Sequence, residues 1–180
     1  SVDRSGSLLI NLTDYFKNTE KSDIIDVEPD VENVDVGYTK YPVKESGIYK
    51  FDITNNKDDR VKIVVKGESK VVMPCDRCLS DVICKVDVDS EFVLDEPTVY
   101  EESEEEAEAF MNGYELDSNL LIHNELTMGL PMKVLCKDDC KGLCPVCGSN
   151  LNHGACGCDT FVPDPRMAAL MDIFNANKEV

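Results

Sequence analysis

Six cysteines fall within the 23 residues from Cys136 to Cys158, and their spacing constrains the chain more than any other feature. The run reads Cys136-Lys-Asp-Asp-Cys140-Lys-Gly-Leu-Cys144-Pro-Val-Cys147, then Gly-Ser-Asn-Leu-Asn-His-Gly-Ala, then Cys156-Gly-Cys158. Zinc takes four ligands in a tetrahedron, with thiolate sulfur about 2.3 Å away. A Cys-x-x-Cys turn presents two sulfurs to one side of that tetrahedron. Pro145 stiffens such a turn, and Gly148 lets the chain swing back with backbone N–H groups facing sulfur. The expectation is one Zn2+ on Cys144, Cys147, Cys156 and Cys158. Cys140 is the first substitute, Cys136 stands in reserve, and His153 is a further candidate. The alternative is a clustered pair of ions with shared sulfurs. A site closed by four sulfurs has no open coordination position, so zinc here supplies folding energy to a short segment and does no catalysis.

The pair Cys75-Asp-Arg-Cys78 has a different setting. Pro74 ends one strand pattern and Val82 begins the next, which puts these cysteines on a hairpin connection. Two sulfurs alone do not make a zinc site. The first reading is a structural or partner-binding turn, the second is ligands shared with the C-terminal cluster, and the third is thiol redox chemistry. Redox pairs normally sit at a helix N-terminus after a strand, and this one does not. Cys84 alternates with the hydrophobic side of its strand and reads as core.

Nine cysteines, an odd number, argue against a secreted disulfide framework. No segment approaches the roughly 20 apolar residues that span a bilayer. Residues 1–7 lack the charged-then-apolar design of a signal peptide. The chain reads as cytoplasmic, without a membrane partner, and with reduced thiols available for metal.

Charge narrows the partners. Thirty-six acids against eighteen bases give a net charge of −18 and a pI near 4.3. Such a surface repels phosphate backbone, so nucleic-acid binding needs a local basic patch. Lys133, Lys137 and Lys141, beside the cysteines, provide a small one. A basic protein is the more natural partner, with plain solubility the bland alternative. From Val86 through Met132 there are fourteen acids and no Lys or Arg. Within that stretch Glu101 to Glu108 is a like-charge block, expected as a solvated loop and, second, as an acidic docking surface.

The pattern from Val31 to Leu94 is β. Ile48 to Ile53 runs into the polar turn 55–59, Val61, Ile63 and Val65 alternate with Lys62, Val64 and Lys66, and Val71 to Met73 extends that strand. Val82, Cys84, Val86, Val88, Phe92 and Leu94 share one side, opposed by Lys85, Asp87, Asp89 and Glu91. Leu8 to Leu12 predicts a first strand, followed by a turn or short helix over Thr13–Lys17. Asp117 or Ser118 caps a helix carrying Leu121, Ile122, Leu126 and Leu130, broken by Gly129 and Pro131. Asp164-Pro165-Arg166 starts another, with a packing stripe of Met167, Leu170, Met171 and Phe174. The fold class is α+β, a mainly antiparallel β domain with a few short helices and a C-terminal zinc knuckle module. The expected organisation is a β-rich domain over 1–94, an acidic flexible linker over 95–112, a helix and strand packing back over 113–135, and the cysteine module with a C-terminal helix over 136–180.

Several of these features, in this order, resemble the bacterial YceD family, the large ribosomal RNA subunit accumulation proteins, whose plant relatives act in organelles. The resemblance rests on Cys75-Asp-Arg-Cys78-Leu79 on a hairpin, the acidic linker, and Glu125-Leu-Thr-Met-Gly-Leu-Pro131. It rests further on Cys140-Lys-Gly-Leu-Cys144-Pro-Val-Cys147-Gly-Ser-Asn-Leu-Asn152 and Asp164-Pro-Arg-Met-Ala-Ala-Leu170. It runs from about Leu8 to Phe174. It implies a role in accumulation or maturation of the large-subunit (23S) ribosomal RNA, with no assigned enzymatic activity. Genes of the family commonly lie beside that of a small basic protein of the large subunit. Some relatives lack the C-terminal cysteines, which by resemblance implies that zinc is not essential to the family's core role; in others His replaces the last two, which supports Cys156 and Cys158 as ligands. The leading reading is a non-catalytic assembly factor that engages a basic ribosomal protein or a pre-50S particle. Direct rRNA binding through the zinc module is the second, and an enzyme, redox through Cys75 and Cys78 or hydrolytic through zinc, is the third. Oligomeric state is not legible.

Overall fold

The computed structural model describes residues 8–57, 59–97 and 109–158, together with Arg166, Leu170 and Ile173. Its spine is a pair of 15-residue strands, β6 (Arg60–Pro74) and β7 (Asp81–Asp95), antiparallel along their whole length from Arg60↔Asp95 to Pro74↔Asp81. Alternation sets which side is buried. Val61, Ile63, Val65, Val71 and Met73 point inward from β6, and Val86, Val88 and Leu94 from β7. Each fully buried aliphatic side chain contributes about 1.5–3 kcal/mol relative to exposure.

The other edge of β6 is shared between two strands. β5 (Tyr49–Asn55) pairs with Val61–Lys66, and β4 (Thr39–Ser46) pairs with Ser69–Val71. β2 (Ser22–Val27) then extends the sheet beyond β5, and β3 (Asn33–Val36) extends it beyond β4. Gly67 sits at the split. A Cβ there would come within 2.5 Å of the Tyr49 ring, so only glycine leaves room for this fully buried aromatic. The Tyr49 hydroxyl and Ser69 Oγ are 2.8 Å apart, which satisfies both polar groups inside the core.

A second, three-stranded sheet is formed by β1 (Leu9–Asn11), β8 (Met111–Asn112) and β9 (Glu115–Asp117), with β9 in the middle. Helix α1 (Thr13–Lys17) buries Tyr15 and Phe16, and Phe16 meets Tyr114 edge-on at 5.8 Å. Helix α2 (Ser118–Gly129) starts where the Asp117 carboxylate accepts from Leu120 N–H, and it buries Leu121, Ile122 and Leu126. It packs on β7, where Val86 leaves no space for a side chain at position 129. Among the described residues no helix is long and apolar enough to cross a membrane.

The antiparallel α+β class, the first strand, α1, the β6–β7 alternation and the Asp117 cap agree with expectation, whereas β2 had no forecast. The acidic block 101–108 lies outside the described residues, as do Met167, Met171 and Phe174 of the C-terminal stripe. Leu170, which that stripe puts in the packing, is 57% exposed.

The base-free run beginning at Val86 looks different once β6 is beside it. Lys62 pairs with Glu91 at 3.0 Å, Lys66 with Asp89 at 3.6 Å, Arg60 with Asp95 at 3.8 Å, and Lys85 with both Glu68 and Asp87. Glu96 accepts from the Tyr114 hydroxyl, and Glu125 accepts from Ser90. The outer side of β6 and β7 is therefore a ladder of alternating charge, and mutual repulsion of its acids is locally neutralised. Sequence order hid this, because Arg60, Lys62 and Lys66 lie on the preceding strand and Lys85 stands just before the base-free run.

Candidate metal centre

The β6–β7 connection ends in a tight turn from Cys75 to Ser80. Cys75 N–H donates to Ser80 O at 2.8 Å, and Leu79 N–H donates to Cys75 O at 2.9 Å. Leu79 takes a left-handed φ of +62°, a conformation that favours glycine. The segment after α2 comes back to this turn and is fastened to it by two reciprocal bonds. Asp76 N–H donates to Val134 O, and Val134 N–H donates to the Asp76 carboxylate, both at 2.8 Å. Arg77 adds a third bond, from its guanidinium to Cys140 O at 2.9 Å.

This fastening brings four sulfurs together: Cys75, Cys78, Cys136 and Cys140, all within 4.8 Å of one another. The Cys75–Cys140 sulfurs are 3.7 Å apart and those of Cys78 and Cys136 are 3.6 Å apart. A tetrahedron of thiolates around zinc has edges of about 3.8 Å given bonds of about 2.3 Å, so the spacing fits. Cys75, Cys78 and Cys140 are buried and Cys136 lies at the rim.

The second group is Cys144, Cys147, Cys156 and Cys158, again within 4.8 Å of one another. Its turn repeats the first. Cys144 N–H donates to Ser149 O at 2.8 Å, Gly148 N–H donates to Cys144 O at 2.9 Å, and Gly148 has φ +73°. Cys147 Sγ lies 3.1 Å from Ser149 Oγ, as Cys78 Sγ lies 3.2 Å from Ser80 Oγ. Only Cys144 of this group is buried, and Cys147 is exposed.

The electrostatics of the two groups match as well. The Cys78 backbone N–H holds the Cys75 thiol at about 6, well below its ordinary 9. The Ser80 hydroxyl and N–H lower Cys78. Within the same group the Cys78 sulfur pushes Cys136 up to about 12. In the second group the Ser149 hydroxyl and N–H hold Cys147 at about 6, the Cys147 N–H lowers Cys144, and the sulfurs of Cys147 and Cys156 push Cys158 up to about 12. Two thiols in each group are drawn toward the thiolate, and a further one, Cys136 or Cys158, is held protonated by the sulfurs beside it. A divalent, thiophilic cation removes that restraint. Both groups can hold such an ion, and four sulfurs at this spacing are compatible with zinc.

The sulfurs expected as one set, Cys144, Cys147, Cys156 and Cys158, do lie together. Cys136 and Cys140, kept as substitutes in that set, do not join it. They meet Cys75 and Cys78, because the Asp76–Val134 clamp carries the chain to the hairpin tip before it turns into the second group. Proximity in sequence to Cys144 was misleading here. His153, in the short 3-10 turn Leu151–His153, is exposed and does not belong to either group. The missed signal was a repeated pattern, Cys-x-x-Cys-x-Ser, present at both Cys75–Ser80 and Cys144–Ser149.

Both groups lie inside a segment that matches a family model. Residues 63–174 match the model described as large ribosomal RNA subunit accumulation protein YceD. The chain belongs to the YceD family. The match begins later than the resemblance, which started at about Leu8, so β1 to β5 lie outside it. Every cysteine of both groups lies inside. Neither a curated protein nor a solved structure matches the chain.

Proposed function

We propose that this YceD-family chain is a non-catalytic factor for accumulation and maturation of large-subunit ribosomal RNA. It acts through a basic ribosomal protein or a pre-ribosomal particle, and zinc on Cys144, Cys147, Cys156 and Cys158 orders its C-terminal surface. The observation that carries this reading is the family match over residues 63–174, which takes in the cysteine turns and the helix α2 that leads to them. A tetrahedral site closed by sulfur favours a structural role for the ion. The charge ladder on β6 and β7 removes that sheet side as the acidic contact, leaving the 101–108 block and the cysteine-rich end as candidates for recognition.

Affinity purification from cells at moderate salt, with bound partners identified, tests the reading. Enrichment of large-subunit proteins or precursor particles is expected, and their absence contradicts it. A second reading, direct contact with rRNA, draws on Lys133, Lys137 and Lys141, which are exposed beside the cysteines and outside every ion pair found among the described residues. Salt-sensitive gel shifts of large-subunit rRNA fragments by the isolated protein favour that reading over the first.

A further inference from the structure

The sequence argues for one zinc at the end of the chain, but the geometry at the hairpin tip carries a second site as far as the first. The turns Cys75–Ser80 and Cys144–Ser149 share the same two backbone hydrogen bonds, the same left-handed residue after the second cysteine, and the same serine beside its sulfur. Two of the inner sulfur–sulfur distances, 3.7 and 3.6 Å, are tetrathiolate edges and far too long for disulfides of about 2.05 Å. Three of these four thiols are buried, packed against Val82, Leu135 and Leu143. The hydrogen bonds that hold this group together come from Asp76, Arg77 and Val134, none of which belongs to the outer group.

We propose that Cys75, Cys78, Cys136 and Cys140 bind a zinc ion of their own, separate from the one at Cys144, Cys147, Cys156 and Cys158, and that Asn152 is a positioning residue for this inner site. The ion binds thiolates, so the protonated members of the group release their protons to solvent as the four Zn–S bonds form, and no oxidation state changes. Asn152 belongs to the outer module but its side-chain amide donates to Cys140 Sγ at 3.3 Å. Its carbonyl oxygen accepts from Lys141 N–H at 2.9 Å, and Leu151 N–H donates to Gly142 O at 2.9 Å. Folding of the outer module therefore delivers a neutral N–H to an inner thiolate, the kind of outer-shell contact that tunes metal affinity. The inner ion also joins a hairpin tip to a segment some 60 residues later, whereas the outer ion closes only a local loop. Closing the longer loop removes more freedom from the unfolded chain.

Native mass spectrometry of the intact chain loaded with Zn2+ or Cd2+ tests the assignment. Two ions are expected in the unsubstituted protein, one in C75S/C78S and one in C156S/C158S. A single ion in the unsubstituted protein, or two retained in C75S/C78S, overturns the proposal. Should C75S/C78S fail to fold, alkylation of the unsubstituted, metal-loaded protein with peptide mapping decides the matter. Cys84 alone of the nine cysteines is expected to react, and labelling of Cys75 and Cys78 at the rate of Cys84 overturns the inner site. For Asn152→Ala, both ions stay bound, and chelator removal from the inner site speeds up by about 10- to 100-fold with the outer rate unchanged. Equal rates in N152A and the unsubstituted protein refute the positioning role.

Discussion

Leu79 occupies after Cys78 the same left-handed backbone position that Gly148 occupies after Cys147, with φ of +62° and +73°. Glycine holds that conformation without a Cβ clash, whereas leucine pays about 1–2 kcal/mol for it. Leu79 is 64% exposed, so its side chain recovers little of this by burial. Leu79→Gly is expected to stabilise the zinc-loaded chain by about 0.5–1 kcal/mol, and Gly148→Leu to destabilise it by a similar or larger amount. Urea unfolding at fixed free zinc measures both. A loss of stability in L79G would mean that the exposed leucine makes a contact the isolated chain already uses.

The split in the sheet depends on an absent side chain. Gly67→Ala pushes a methyl into the Tyr49 ring, which has no solvent to move toward, and is expected to cost about 1–3 kcal/mol. Tyr49→Phe keeps the ring and loses only the hydroxyl contact to Ser69, for about 1 kcal/mol. Thermal unfolding ranks the pair, and the reverse order would count against packing as the dominant effect.

The strand periodicity, the Asp117 cap and the outer cysteine set were readable because each is local: a period of two, a carboxylate three residues before the N–H it accepts from, four sulfurs within fifteen residues. The inner set was not readable by the same means. Cys75 and Cys140 are 65 residues apart, and what joins them is Asp76 bonded to Val134, a contact with no sequence period. The charge ladder was hidden for the same reason, since Lys66 and Asp89 become neighbours only through strand register.

Asp76 is the hinge of that long-range contact. Asp76→Ala leaves Val134 N–H without its carboxylate acceptor beside a buried side chain. The expected cost is about 1–3 kcal/mol, together with faster zinc loss to a chelator. Chelator kinetics with D76A should show only the inner set accelerated; a uniform effect on both sets would point to general unfolding.

Acidity has two separable effects. In the metal-free chain Cys75 and Cys147 sit at about 6 against an ordinary 9, so their stabilisation is complete above about 9 and is lost as pH falls through 6. Cys136 and Cys158, raised to about 12, contribute stability below 9 that is lost as pH rises toward 12. Metal-free stability is therefore expected to climb from pH 6 to 9 and decline beyond. Because Cys75 and Cys147 are already largely ionised at pH 7, zinc uptake should release fewer than four protons per ion. An indicator titration in weak buffer measures this, and four protons per ion would contradict it.

The claim that a metal-ordered YceD-family chain serves large-subunit rRNA is tested most directly in cells. The measurement is the ratio of large- to small-subunit rRNA after removal of the chain, with complementation by the unsubstituted protein or by C156S/C158S. The account predicts a lowered ratio on removal, restored in full by the unsubstituted chain and only in part by the cysteine variant expressed at equal level. An unchanged ratio on removal would contradict it.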